Sequence, residues 1–294
     1  MSQAANTVER EEKITGANGL NIFVRSWRPA STPRAVVTIC HGLNAHSGYY
    51  KWAAAQLVES GLAVYALDLH GRGQSDGERF YVEKVGDYVD DVDAVVSLAR
   101  SREPGLRVFL LGHSAGGIVS CLYTLEHQSK LAGLICEDFA FKVPAPDFAL
   151  AVLKGVSALA PHAHVVRLKN EDFSRNPDVV AAMNADPLIA NEVQPAKTVA
   201  ELVRADERLT RQFKRVTLPL FIIHGTSDRA TKPSGSRRFY QLAGSNDKML
   251  KLYEGHYHDL LADLGKQRVM ADIQAWIDDH LGPIPIRRTE ELRI

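Results

Sequence analysis

Six apolar runs rich in β-branched residues recur along the chain: "AVVTICHG", "LAVYALDLHGRG", "RVFLLGHS", "LAGLICEDF", "PLFIIHG" and "KMLKLYEG". A strand with one face in water alternates apolar and polar residues. These runs are too uniformly apolar for that, so they predict strands buried on both faces, as in a parallel sheet covered by helices. The segments between them supply the helices. "YYKWAAAQLVES", "DYVDDVDAVVSLARS" and "GIVSCLYTLEH" carry helical periodicity, and in the second Val89, Val92, Val96 and Ala99 form one stripe with Asp90, Asp91 and Asp93 off it. The fold class is therefore α/β. The opening differs, because Asn18-Gly19 between two alternating runs predicts an antiparallel hairpin. A last helix, "KQRVMADIQAWIDDHLG", is stopped by Gly282-Pro283.

The alternation breaks once. Between Phe141 and Leu218 there is no strand signal, while "DFALAVLKGVSALA" and "AKTVAELVRADERLTRQF" look helical and Pro144, Pro146 and Pro161 punctuate the first half. A structureless loop of that length is improbable. The segment predicts a helical cap, residues 141–216, inserted into a core made of residues 1–140 and 217–294.

Composition narrows the function classes. Lys+Arg and Asp+Glu are equal at 35 each in 294 residues, so no global field points to nucleic acid or an anionic membrane. Cys40, Cys121 and Cys136 have no paired spacing, which fits a reducing compartment. "MSQAANTVEREEK" has no apolar signal region, and no stretch reaches the roughly 18 apolar residues of a membrane span. A soluble, cytoplasmic protein is expected.

In an open parallel sheet, functional groups sit in the loops at the carboxyl ends of the strands. The strand exits read, in order, His41-Gly42, Asp68 to Gly73, Ser114, Asp138, Asp228, then His256 and His258. A serine hydroxyl needs a base to act as a nucleophile, and the base needs an orienting carboxylate. Serine, acid, histidine is one of the chain orders that assembles such a triad. Ser114 lies in "GHSAGG", where Gly112 and Gly116 leave room for a strained strand-to-helix turn; the plainer reading is a Gly-rich turn. The acid is Asp228 or Asp138, with Glu137 beside the latter. Asp228 is favoured because it leaves the cap free to begin at Asp138; the bland reading of either is a cap or loop residue. The base is His256 or His258, which local chemistry does not separate. An oxyanion hole needs two N–H donors, each worth about 10²–10³ in rate. Ala115 and Leu43 are the candidates. His41, His113 and His224 read as loop-shaping. "GRGQSDG" lacks the Lys-Ser/Thr of a phosphate loop and reads as a turn beside the site.

Together, "ICHGLNAHSGYY", "LDLHGRGQSDGERFYV", "LLGHSAGG", "IIHGTSDRA", "KLYEGHYHDLL" and the cap stretch "NADPLI" resemble the monoacylglycerol lipase and lysophospholipase-like group of α/β-hydrolases. The resemblance covers about residue 12 to residue 280. It implies an α/β-hydrolase fold: an eight-stranded, mostly parallel sheet flanked by helices, with a helical cap after the sixth strand over an acyl-accepting tunnel. It also implies Asp228 as acid and His258 as base. Three positions depart from the group's pattern: His256 replaces a small residue, Tyr49 an arginine, and Ala115 a methionine. The implied activity is carboxylic ester hydrolysis through an acyl-enzyme, on monoacylglycerol-like or other small acyl esters. Short or aromatic esters, lysophospholipids and thioesters are alternatives, and a ligand-binding protein without turnover is the rival from another class. No metal or organic cofactor is called for, and no nucleic acid. Tyr49, Phe148, Val152, Leu153 and Val156 are the candidate substrate contacts. The apolar cap stretch around the last four reads either as cap-to-sheet packing or as a tunnel wall and membrane-touching lip.

Overall fold

The structure, a computed structural model, describes residues 7–140, 143 and 147–281. Strands β1 (Thr7–Thr15) and β2 (Asn21–Pro29) pair antiparallel, with Asn18 and Gly19 at φ 53° and 75° in the connection. The chain then alternates β3 (Ala35–Cys40), α1 (Lys51–Glu59), β4 (Leu62–Leu67), α2 (Val85–Arg102), β5 (Val108–His113), α3 (Ala115–His127) and β6 (Gly133–Glu137). It leaves the sheet for α4 (Asp147–Leu159), β7 (His164–Val166), α5 (Pro177–Ala185), β8 (Gln194–Pro195) and α6 (Ala196–Gln212). It returns as β9 (Leu220–Gly225), α7 (Pro233–Leu242), β10 (Lys248–Tyr253) and α8 (Lys266–Leu281).

The main sheet has eight strands in the order β1-β2-β4-β3-β5-β6-β9-β10, parallel from β4 to β10. Its uniformly apolar strands divide by the two-residue period of a strand. Val36, Tyr65, Leu110, Leu134 and Ile222 face one apolar layer with α2, α3 and Phe239 of α7. Val37, Val64, Leu111, Ile135 and Ile223 face the other with α1 and α8. Because every connection between parallel strands crosses over a face, the strand carboxyl ends gather along one edge.

Three details depart from the sequence expectations. The segment between β6 and β9 contains a short antiparallel ribbon, β7 with β8, which is too brief to leave a periodic signal. β10 is an edge strand and only part-buried, with Met249 48% exposed, because nothing pairs beyond it. Asp91 is fully buried although it lies off the apolar stripe of α2. Its carboxylate accepts from the Ala17 N–H at 2.9 Å and from His70 Nδ1 at 2.6 Å, fastening the hairpin connection to the sheet. The Gly282-Pro283 stop lies outside the described residues; α8 is described as Lys266–Leu281. No helix among the described residues is long and apolar enough to cross a membrane.

Trp276 of α8 stacks on Phe221 at 5.7 Å and meets Phe109 edge-on at 5.8 Å. Trp276→Ala should cost about 3–5 kcal/mol in urea unfolding, the range for emptying a large aromatic site. Asp206 of α6 has a buried carboxylate oxygen without a partner, and burial pushes its pKa up to about 8. The native state therefore keeps a proton that the unfolded chain releases near pH 4, and stability falls as pH rises from about 4 to 8. Asp206→Asn should be indistinguishable from wild type below about pH 4 and clearly more stable at pH 8 in thermal unfolding.

Candidate active site

β5 ends at His113 and α3 begins at Ala115, so Ser114 alone makes the turn, at φ 54° and ψ −121°. A non-glycine residue there stores about 1–3 kcal/mol of strain. The neighbouring glycines explain how the turn closes. A Cβ on Gly116 would stand 2.3 Å from the carbonyl oxygens of both Cys40 and His41, and one on Gly112 would stand 2.4 Å from Ser120 Oγ. The turn is braced by its backbone: Ser114 N–H donates to the Glu137 carbonyl at 2.9 Å, and the Ser114 carbonyl accepts from Gly117 and Ala140.

The loop after β10 brings His258 over this serine. Its Nε2 lies 2.8 Å from Ser114 Oγ, and its Nδ1 lies 2.8 Å from Asp228 Oδ2. His258 is buried and packed edge-on by Phe173 at 5.0 Å. Asp228 sits in the loop after β9. Its Oδ1 accepts from the Ala230 and Thr231 N–H groups, and its Oδ2 also accepts from Thr231 Oγ1 at 2.6 Å. His224 Nε2 stands 3.1 Å from the same oxygen. Burial acts to raise the Asp228 carboxyl, but the two histidines and these donors outweigh it and hold the pKa far below the usual range.

Three other histidines are held neutral by burial. His41, pushed down to about 4, donates Nδ1–H to the Gly42 carbonyl and accepts from the Leu69 N–H at Nε2. His113, pushed down to about 3, holds the His258 carbonyl from Nε2 at 3.1 Å. His224, also lowered, accepts from Ser236 at Nδ1 and turns Nε2 to Asp228. Loop-shaping describes His41, whereas His113 and His224 brace His258 and Asp228 directly. Sequence gave no means of separating them, since each simply stands beside a glycine or the serine at a strand exit.

The other acid and base candidates point elsewhere. Asp138, at φ 43°, accepts from the Gly225 N–H at 2.8 Å. Burial, aided by the Asp228 charge, raises its pKa well above normal. Glu137 accepts from the Leu261 N–H at 3.0 Å. His256 contacts the Glu254 carbonyl at 3.2 Å and packs on Tyr253. Asp138, His224 and Asp228 offer ligand-type atoms within 4.8 Å of one another, as do His113, Glu137 and Asp259. In the first group the contacts are those that fasten Asp228.

Gly42 lies against Ser114, where an added Cβ would be 2.8 Å from Ser114 Cβ. The next N–H, Leu43, and the Ala115 N–H have no protein acceptor among the described residues. The rest of this loop is tied to the segment between β6 and β9. Asn44 N–H donates to Glu192 Oε1 at 3.1 Å, and Asn44 Nδ2 to Asn170 Oδ1 at 3.1 Å. His46 Nε2 and the Tyr49 hydroxyl both meet Asp186 Oδ2, at 2.8 and 2.9 Å. Glu192 Oε1 also accepts from Gln194 at 2.6 Å and from Arg72 of the "GRGQSDG" turn. Arg72 and Glu192 form a buried ion pair, with side chains 1% and 2% exposed. A polar cavity of about 240 Å³ lies on this side of the loop, with Asn44, Asn184, Asn191 and Glu192 in its walls; Ser114 and His258 do not line it.

Of the candidate substrate contacts, Tyr49 is engaged with Asp186. On α4, Val152 is 62% exposed, while Leu153 and Val156 are part-buried. The Phe148 side chain lies outside the described residues.

A family model described as "Serine aminopeptidase, S33" matches residues 31–265. The chain belongs to this family. This hydrolase is 32% identical to a monoacylglycerol lipase of Mycolicibacterium smegmatis, an alignment covering 94% of its own chain and 99% of the relative. It is 34% identical to the human monoglyceride lipase, over 90% of its chain and 89% of the relative. The crystal structure of Paleococcus ferrophilus monoacylglycerol lipase superposes with a TM-score of 0.79 at 29% identity, covering 88% of this chain and 99% of the other. The hydrolase is thus an α/β-hydrolase of the monoacylglycerol-lipase-like group, and a carboxylic ester hydrolase.

Removing one partner of the Arg72–Glu192 pair strands a buried charge. Arg72→Ala should destabilise by about 3–5 kcal/mol in urea unfolding, and the double replacement Arg72→Met with Glu192→Leu should recover most of that loss.

Proposed function

We propose that this hydrolase cleaves monoacylglycerol-like or other small acyl esters with Ser114 as nucleophile, His258 as base and Asp228 as the orienting acid. The observation that carries the reading is the unbroken relay of two 2.8 Å contacts, from Ser114 Oγ to His258 Nε2 and from His258 Nδ1 to Asp228. In the acylation step Ser114 Oγ attacks the ester carbonyl carbon while His258 Nε2 takes the hydroxyl proton. Asp228, kept ionised, holds the tautomer that leaves Nε2 free and stabilises the imidazolium. The developing oxyanion lies against the N–H groups of Leu43 and Ala115, which have no protein acceptor to surrender. His258 then protonates the departing alcohol; in the second half it takes a proton from water as the water oxygen attacks the acyl carbon, and it returns that proton to Ser114 Oγ as the acid leaves.

Substrate class rests on the relatives, two of which are named monoacylglycerol and monoglyceride lipases at 32% and 34% identity. Tyr49 meets Asp186 of the intervening segment, which we read as a cap closing over the site with its boundaries at residues 141 and 216. The side chain of Ala115 is small, which leaves room beside the reacting carbonyl for a bulky acyl or alcohol group. The chemistry needs no cofactor.

The test is a panel of p-nitrophenyl esters from acetate to palmitate, with 1-monoacylglycerols, lysophospholipids and aromatic monoesters. Monoacylglycerol turnover with an optimum in chain length is expected, and Ser114→Ala should lose on the order of 10⁶ in kcat. Turnover restricted to aromatic or short esters would reject the acyl-glycerol reading while keeping the nucleophile. Full activity in Ser114→Ala would reject the nucleophile.

A further inference from the structure

Behind His258 lies a second carboxyl group that the relay does not use. Glu137, the last residue of β6, is fully buried. Its Oε1 accepts from the Leu261 N–H at 3.0 Å, and its Oε2 is buried with no partner. One ligand-type atom each from Glu137, Asp259 and His113 lies within 4.8 Å of the others. Asp259 directly follows His258, and its own Oδ1 accepts from the Ala262 N–H at 3.1 Å. His113 holds the His258 carbonyl, so the cluster is built into the support of the imidazole.

Two carboxylates this close, one of them sealed from water, do not both ionise at neutral pH. An ionised Glu137 would leave a charged oxygen, Oε2, bare in the protein interior. A proton on Oε2 removes that bare charge, while a carboxylate oxygen of Asp259 lies within 4.8 Å of one of Glu137. We propose that Glu137 is a protonated carboxylic acid in the working protein while Asp259 carries the single negative charge of the pair, next to His258 in the chain. The remaining titratable groups around the pair leave the arrangement intact. Tyr50, ahead of α1, is a buried phenol, raised by burial and by these two carboxylates. His113 is neutral. Asp138 turns to Gly225, and Asp263 is paired with Arg175. Burial raises Glu137 well above the carboxylate range, the Asp259 charge adding to it, and Asp259 itself is raised to about 6.

Glu137 and Asp259 are then positioning residues. The charge on Asp259 is close enough to His258 for the two to interact, so an imidazolium formed there in the reaction meets an anion besides Asp228. Asp259 is the partner whose loss removes the charge, and Glu137 the partner that is neutral already. This consequence rests on His258 being the base, whereas the protonation state does not.

Infrared spectroscopy of protein labelled with ¹³C at the glutamate side-chain carboxyls reads the protonation state without any substrate. A protonated glutamic acid C=O band at pH 7, absent in Glu137→Gln, is expected. No such band in the labelled wild type would overturn the proposal, as would a stoichiometric metal ion in elemental analysis of the purified protein. The pH–rate profile reads the charge. Asp259→Asn should move its acidic limb down by about one pH unit, because an anion is lost beside the imidazolium. Glu137→Gln, which replaces a neutral acid by a neutral amide, should leave that limb in place. Equal shifts in both variants, or a shift in Glu137→Gln alone, would reject the assignment of the neutral acid to Glu137 and of the charge to Asp259. Should the wild type hydrolyse no ester, the labelled band still decides the proposal.

Discussion

Everything at the candidate site depends on one unfavourable turn. Ser114 is held at φ 54° because β5 runs straight into α3 with no residue to spare, and α3 can lie against the end of β3 only if Gly116 has no side chain. The strain of that turn is repaid by the buried layers on either side of the sheet, which fix strand and helix independently of the serine. Strain of this kind persists only where the surrounding structure over-determines it. Here it presents a hydroxyl at the sheet edge where the loops after β3, β9 and β10 converge.

Around that hydroxyl the protein has put an unusual density of buried polar groups, and their protonation states follow from their surroundings. His41, His113 and His224 are neutral because burial penalises their charged forms. Asp228 is ionised because His258 and His224 face it, while Glu137 and Asp138, at the end of the neighbouring strand β6, are pushed the other way. His258 thus meets a fixed anion, Asp228, while the neutral ring of His113 packs against it. Neutral histidines also have settled tautomers, so each brace pulls in one direction.

The segment between β6 and β9 is tied to the loop after β3. Glu192 and Asp186 bind the backbone or side chains of Asn44, His46 and Tyr49, the loop that carries the Leu43 N–H. Arg72 joins the same carboxylate from another loop. The geometry of the loop that carries Leu43 is therefore set partly by residues far away in sequence, and displacing that segment would loosen the loop at the same time. The "GRGQSDG" turn, which the sequence places beside the site, supplies the buried cation for this junction.

The sequence alone was sufficient for the alternation of buried strands and helices, the opening hairpin, the Gly112-Ser114-Gly116 turn, and the strand exits at which Asp228 and His258 stand. These are local properties: periodicity, steric need for glycine, and the order of residues along the chain. It did not separate His256 from His258 without the family likeness, since both occupy the same short loop and only the path of that loop decides which ring meets Ser114. It missed the burial of Asp91, the exposure of β10 at the sheet edge, and the β7–β8 ribbon, because burial depends on what lies alongside rather than on the residue itself. The Arg72–Glu192 pair and the Glu137–Asp259 cluster were equally invisible. Each joins residues separated by more than a hundred positions, and whether a charge is paired or neutralised is decided only when folding removes the water around it.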